Sequence, residues 1–198
     1  MSAYLTITAP SEAYFTEQRS KFLSFAFPVT TAEEAKAIVK EYANKYHDAR
    51  HVCWAYMVGA ARTDYLSSDN GEPSGTAGKP ILGQINSFGV TDVVIIVVRY
   101  FGGIKLGTSG LIVAYREAAK MALEAAEIEE RHEQTSITFT FPYQAMNDVM
   151  RLMKSQPLKI DEQVFDNTCR ITLSIASDNA PTLLARLNDI SGVSVHES

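Results

Sequence analysis

Residues 92–111 read DVVIIVVRYFGGIKLGTSGL, and this stretch decides the fold. Val93 to Val98 are six consecutive β-branched residues with no polar side alternating between them, which predicts a strand buried on both faces. The run is far shorter than the roughly 20 apolar residues that cross a bilayer. After it come Gly102, Gly103, Gly107 and Gly110. From Ser109 to Ile128 apolar residues return at helical spacing, with Leu111, Ile112, Tyr115, Ala118, Ala119, Ala122, Leu123 and Ala126 inward. A buried strand therefore feeds a glycine-shaped turn that opens a long helix.

Working outward, nine of the eleven glycines fall between Gly71 and Gly110, so shaped loops concentrate there. Upstream, Lys21 to Val29 (KFLSFAFPV) reads as a strand. Thr30 and Thr31 stand three residues before Glu33 and Glu34, two capping boxes for a helix with Ala35, Val39, Tyr42 and Tyr46 inward. His51 to Val58 is a second strand, a polar loop runs to Gly78, and Lys79 to Phe88 is a short helix. The charged segment EIEERHE, residues 127–133, breaks the apolar pattern and marks a boundary. Beyond it come strand 136–141, helix 143–154, a hairpin of 159–165 with 169–175, a helix 180–190 opened by Asp178 and Pro181, and strand 193–196. The order β-α-β-β-α-β is ferredoxin-like. Cys169 alternates with Arg170 on its strand and reads as core. The fold class is α+β in two domains, 1–131 (β-α-β) and 132–198 (ferredoxin-like).

Composition narrows the function. The chain has 198 residues, 46% hydrophobic and 21% charged, which excludes disorder and coiled coil. Eighteen basic against 23 acidic residues give −5 overall. Residues 1–132 hold 13 basic and 15 acidic residues, a net of −2, and the remainder holds 5 and 8, a net of −3. Neither part is a generic polyanion binder, so contact with nucleic acid needs a local cluster. The first fifteen residues have neither a basic start nor an apolar block, so no signal peptide is expected, and the chain reads as soluble and cytoplasmic. His47, His51, His132 and His196 are scattered and Cys53 and Cys169 are far apart, so no metal and no cofactor is expected.

Two motifs carry the candidate chemistry: SDNGEPSGTAGKP (68–80) and RYFGGIKLGTSGL (99–111). The second keeps the glycine spacing and Ser109 of a phosphate-binding loop, but Thr108 replaces the lysine that would reach the β- and γ-phosphates. What survives is an anion site of backbone N–H groups at a helix start, with Arg99 and Lys105 nearby. A nucleophile elbow would need glycine at 111 and has Leu111. In the first motif Asp69 and Glu72 suit acid–base work, although Asp69-Asn70-Gly71-Glu72-Pro73 also suits a turn capped by Asp69 with Gly71 at positive φ, and residue types favour the turn.

These segments resemble the Impact/YigZ family. The likeness rests on Asp48-Ala49-Arg50-His51, on residues 70–80 (NGEPSGTAGKP), and on Val98-Arg99-Tyr100-Phe101-Gly102-Gly103 with Leu106-Gly107. Asn70 stands where the family often has Asp, and Ser109 where it often has Gly. The resemblance implies that the first domain shares the fold of a small-subunit ribosomal protein's C-terminal domain and domain IV of elongation factor G. It further implies that the second resembles that factor's domain V. Eukaryotic relatives regulate translation initiation by binding a partner of a stress kinase.

The expectation is a non-enzymatic cytoplasmic protein linked to translation, contacting RNA phosphate, another phosphate-type anion or a ribosome-associated protein, with no membrane partner. Arg50, His51, Lys79, Arg99, Lys105, Thr108 and Ser109 form the expected anion or nucleic-acid site. Asp69, Gly71, Glu72, Gly75, Thr76, Gly78, Gly102, Gly103 and Gly107 shape its loops. The alternative is an enzyme on a small phosphorylated or peptide substrate with Asp69, Glu72 and His51 as acid–base groups. The third reading is an interaction scaffold whose glycine loops only turn the chain.

Overall fold

The computed structural model describes residues 3–196. Its elements are β1 (Ala3–Ile7), β2 (Ser11–Glu17), β3 (Ser20–Pro28), α1 (Ala32–Lys45), β4 (His51–Val58), β5 (Asp64–Ser68), α2 (Gly78–Phe88), β6 (Val93–Tyr100), α3 (Gly107–Glu124), β7 (Ile128–His132), β8 (Gln134–Phe141), α4 (Met146–Lys154), β9 (Leu158–Phe165), β10 (Cys169–Ala176), α5 (Ala180–Asn188) and β11 (Ser194–His196). The chain divides into two compact units, Tyr4–Arg131 and a second that runs from His132. Among the described residues no helix is long and apolar enough to cross a membrane.

The first unit is built on a five-stranded sheet in the order β2-β3-β6-β4-β5, antiparallel throughout. Val93 to Val98 occupy its middle and are wholly buried, as a run apolar on both faces requires. Val93, Ile95 and Val97 meet α2 and α3, while Val94, Ile96 and Val98 meet α1. Each such side chain contributes about 1.5–3 kcal/mol by leaving water, so this strand anchors both layers. Helix α1 is capped as its sequence predicts: Thr31 Oγ1 accepts from the Glu34 N–H (3.1 Å), and Glu34 Oε2 accepts from the Thr30 N–H (2.8 Å).

Several expectations are corrected. The polar stretch before Gly78 contains β5, an edge strand whose residues Asp64, Tyr65 and Leu66 are exposed. The first twenty residues hold β1 and β2. Helix α3 ends at Glu124 rather than Ile128, and the charged boundary segment contains β7, which pairs with β1. Polar patterning hid these strands because each is an edge or a two-stranded ribbon with little apolar surface to bury. Helix α5 has Asn179 at its cap position, with Pro181 in its first turn, so Asp178 is not the cap.

The second unit is a four-stranded antiparallel sheet, β11-β8-β10-β9, with α4 and α5 on one face. Ile137, Phe139 and Phe141 alternate with polar residues, as do Cys169, Ile171, Leu173 and Ile175, and they pack against Val149, Met153, Leu183 and Leu187. The other face is polar, with Thr138 and Thr172 hydroxyls 3.0 Å apart.

One glycine holds the first unit's loops together. A Cβ on Gly102 would lie 2.1 Å from the backbone carbonyl of Arg19 in the β2–β3 turn, too close for any side chain. Gly102→Ala should therefore cost about 1–3 kcal/mol, as overpacking does. Gly83, in α2 with open space around it, should gain up to about 1 kcal/mol as alanine. Urea unfolding of the two variants should move in opposite directions.

Candidate functional site

Arg99 is the last odd-numbered residue of β6, so it follows Val93, Ile95 and Val97 toward the α2–α3 face and is only 5% exposed. A guanidinium held there needs a counter-charge. Glu72, itself buried, supplies it: Arg99 Nη1 donates to Glu72 Oε1 at 2.7 Å. Tyr115, from the inward stripe of α3, donates its hydroxyl to the same oxygen at 2.7 Å. Arg99 Nη2 donates to Ser20 Oγ at 3.3 Å, while its Nε–H has no acceptor among the described residues.

The Cys53 sulfur lies 3.0 Å from the Asp69 carbonyl and 3.4 Å from the Tyr115 hydroxyl. Burial pushes this thiol up to about 12, reinforced by the nearby Glu72 and Asp69 carboxylates, and the Tyr115 hydrogen bond only partly opposes it. Burial also raises Tyr115 far above the ordinary phenol range, as do Cys53 and Glu72, so it stays protonated as a donor. His51 Nδ1 is 2.9 Å from the Asn70 carbonyl, which can only accept, so Nδ1 carries a proton. Its Nε2 stands 3.7 Å from Glu72 Oε2.

Asp69 has a different task. Its carboxylate accepts from the N–H groups of Gly75 (2.8 Å), Ala77 (3.0 Å) and Gly78 (2.8 Å), closing the loop onto the start of α2. Burial acts to raise its pKa, but the three N–H donors and the Lys79 charge outweigh it and hold the carboxyl below the usual range. Gly71 takes φ +85° beside the His51 ring, where a Cβ would sit 3.3 Å from Nδ1. Both features match the turn reading of this motif.

These groups line a cavity of about 590 Å³. Arg50, His51, Gly71, Glu72 and Arg99 line it together with Lys105, just before α3, and Gly107 and Thr108 at the start of α3. Thus both motifs meet. The first turn of α3 has no side-chain cap, so its N–H groups remain available. Lys79 and Ser109 do not line the cavity: both are exposed, Lys79 in the first turn of α2 and Ser109 in that of α3. Gly75, Thr76 and Gly78 form the Asp69 loop behind it, Gly102 supports the β2–β3 turn, and Gly103 is exposed at φ +90°. Sequence reasoning placed Tyr115 in the core and left Cys53 and Ser20 without a part. Their polar atoms became informative only beside Arg99 and Glu72. Phe101, 39% exposed, also lines the cavity, with the Arg50 and Arg99 guanidinium carbons each 5.7 Å from its ring centre. No group of three or more metal-ligating side chains occurs among the described residues.

Comparison with known proteins gives the lineage. Residues 18–123 match the family model described as the Impact N-terminal domain. The chain is 31% identical over 193 residues to the IMPACT family member YigZ of Escherichia coli (strain K12), spanning 96% of this chain and 95% of that protein. It is 35% identical over 175 residues to an IMPACT family member of Thermus thermophilus, spanning 87% and 94%. The Protein IMPACT homolog of Saccharomyces cerevisiae is 35% identical over 97 residues, 46% of this chain and 37% of that protein. A crystal structure of a hypothetical protein superposes at TM-score 0.74 with 30% identity, covering 100% of this chain and 98% of that one.

The Asp69 clamp has a defined pH signature. Because its folded pKa is depressed, its stabilisation is complete above the unfolded carboxylate value and is lost as pH falls through the folded one. Asp69→Ala should cost about 1.5–3 kcal/mol at neutral pH. In denaturation series the gap from the unmodified protein should narrow only below the ordinary carboxylate range. A gap unchanged down to acid unfolding would remove the carboxylate from this role.

Proposed function

The chain belongs to the Impact family, and on that premise we propose that it is a non-enzymatic cytoplasmic binding protein linked to translation, which holds a phosphate group of RNA in the cavity between its two glycine-rich motifs. The observation that carries this reading is the meeting, in one cavity, of the buried Arg99 guanidinium with the open first turn of α3 and with Lys105 and Arg50. Backbone N–H groups at an uncapped helix start attract anions, and the guanidinium beside them adds positive charge. Lys105 and Arg50 add positive charge to the cavity lining. The family resemblance favours the ribosomal-protein and elongation-factor domain IV fold for the first unit, and the strand order β11-β8-β10-β9 supports a ferredoxin-like second unit.

The enzyme reading has one observation in its favour, the 3.7 Å approach of His51 Nε2 to Glu72 Oε2 within the cavity. Asp69 does not join them, since its carboxylate is occupied by three backbone donors.

Sulfate or phosphate should raise the melting temperature more than chloride at matched ionic strength. At ten times Kd the gain is about 1.4 kcal/mol, or roughly 3–6 °C. Arg99→Ala also strips Glu72 of its counter-charge, so Lys105→Gln, on an exposed side chain, is the cleaner variant and should reduce the anion gain without unfolding. Three phosphate contacts with a single strand would give a log–log salt slope of about −2. Equal stabilisation by all anions would sink the site.

A further inference from the structure

We propose that a second surface, a cationic and aromatic groove on the α1 side of the sheet beside the β2–β3 turn, holds a single-stranded RNA segment that continues from the cavity over Phe101. This rests on the phosphate reading above and extends it from one phosphate to a strand.

The groove encloses about 470 Å³. Tyr14, Arg19, Lys21, Tyr100 and Phe101 line it, and no acidic side chain does. The sheet register explains the arrangement: Tyr14 pairs with Leu23, and Lys21, two residues from Leu23 on the same face, pairs with Tyr100, so Lys21 lies diagonally between the two rings on three neighbouring strands. Tyr14 is 53% exposed although it is large and apolar. The Tyr100 ring is fixed by its hydroxyl, which donates to Asp48 Oδ1 at 2.8 Å. A platform already held in place loses little freedom when a base lies on it.

The turn that carries Arg19 is itself unusual. Gln18 and Arg19 take φ of 43° and 66°, left-handed values that non-glycine residues adopt at a cost. The two-residue β2–β3 hairpin requires such values, and it places Arg19 at the groove.

Continuity selects the occupant. Phe101, just past the end of β6, lines both the groove on the α1 side and the Arg99 cavity on the opposite side, so one ligand that fills both bends round the end of the sheet at its ring. That ligand must carry repeated negative charges for Arg99, Lys105, Arg19 and Lys21, and flat faces for Tyr14 and Tyr100. A single nucleic-acid strand has both, and stacking of this kind tolerates any base. Glu12, in the adjoining cavity with Tyr14 and Tyr46, limits the path at its far end by repelling phosphate.

The test uses the full chain and labelled oligouridylates of two and eight nucleotides, titrated by anisotropy at about 50 mM salt. The eight-mer should bind at least about tenfold more tightly than the two-mer. Tyr14→Ala with Lys21→Gln should weaken the eight-mer by about ten- to a hundredfold. The two-mer and the sulfate-induced rise in melting temperature should stay as they are. Tyr14→Phe keeps the ring and should bind as the unmodified protein does. Lys105→Gln should weaken both oligomers. If Lys105→Gln weakens both lengths but the Tyr14 and Lys21 variants do not, the groove is overturned and the phosphate reading stands. Sulfate stabilisation with no RNA binding at either length also overturns the groove, and binding of an acidic peptide there instead would assign it to a protein partner. Absence of both effects overturns both proposals. Tyr14 lies on an edge strand, so melting curves of its variants should match the unmodified protein and exclude misfolding as the cause.

Discussion

The first unit depends on one ion pair, Arg99 with Glu72. A guanidinium at the end of the most buried strand would be intolerable alone, and a carboxylate in a glycine-rich turn would have no reason to sit inside the protein. Together they join β6 to the loop that precedes α2, and Tyr115 adds α3 to the same oxygen. Removing one partner of such a pair leaves an uncompensated buried charge, typically a loss of about 3–5 kcal/mol. The pair therefore sets the spacing of the two motifs, and with it the cavity between them.

Around this pair the division of labour among carboxylates is clear. Asp69 faces backbone amides and shapes a loop; Glu72 faces side chains and fixes a site. Residue types alone do not separate these roles, because both acids lie in one turn sequence three residues apart. Their surroundings do.

The legible parts of the fold were those whose side chains must be buried. Val93 to Val98, the stripe of α3 and the alternation in β10 follow from solvent exclusion, which leaves a periodic trace in any sequence. Strand β5 (DYLSS) and strand β7 (IEERH) left no such trace, because they are held by backbone pairing and pack few side chains. The two motifs were legible one by one, but neither that they meet nor which atoms do so could be read. Glu72 and Arg99 lie 27 residues apart and no local spacing links them. Lys79 stood in the most distinctive motif yet does not line the cavity, and it is exposed on the first turn of α2, onto which Asp69 closes the loop. The groove beside Arg19 went unread because its hairpin uses Gln18-Arg19 where Asn-Gly is the usual signal.

The Cys53 sulfur sits within this network, and its proton is held so firmly that at neutral pH the thiolate fraction is on the order of 10⁻⁵. Oxidants and alkylating agents attack the thiolate, and this one is both scarce and walled off by the sheet and α3. A sulfur placed in contact with Tyr115, which holds Glu72 in turn, would otherwise make the cavity answer to the redox poise of its surroundings. Buried and held protonated, Cys53 acts as a small core residue of the site rather than as a reactive thiol.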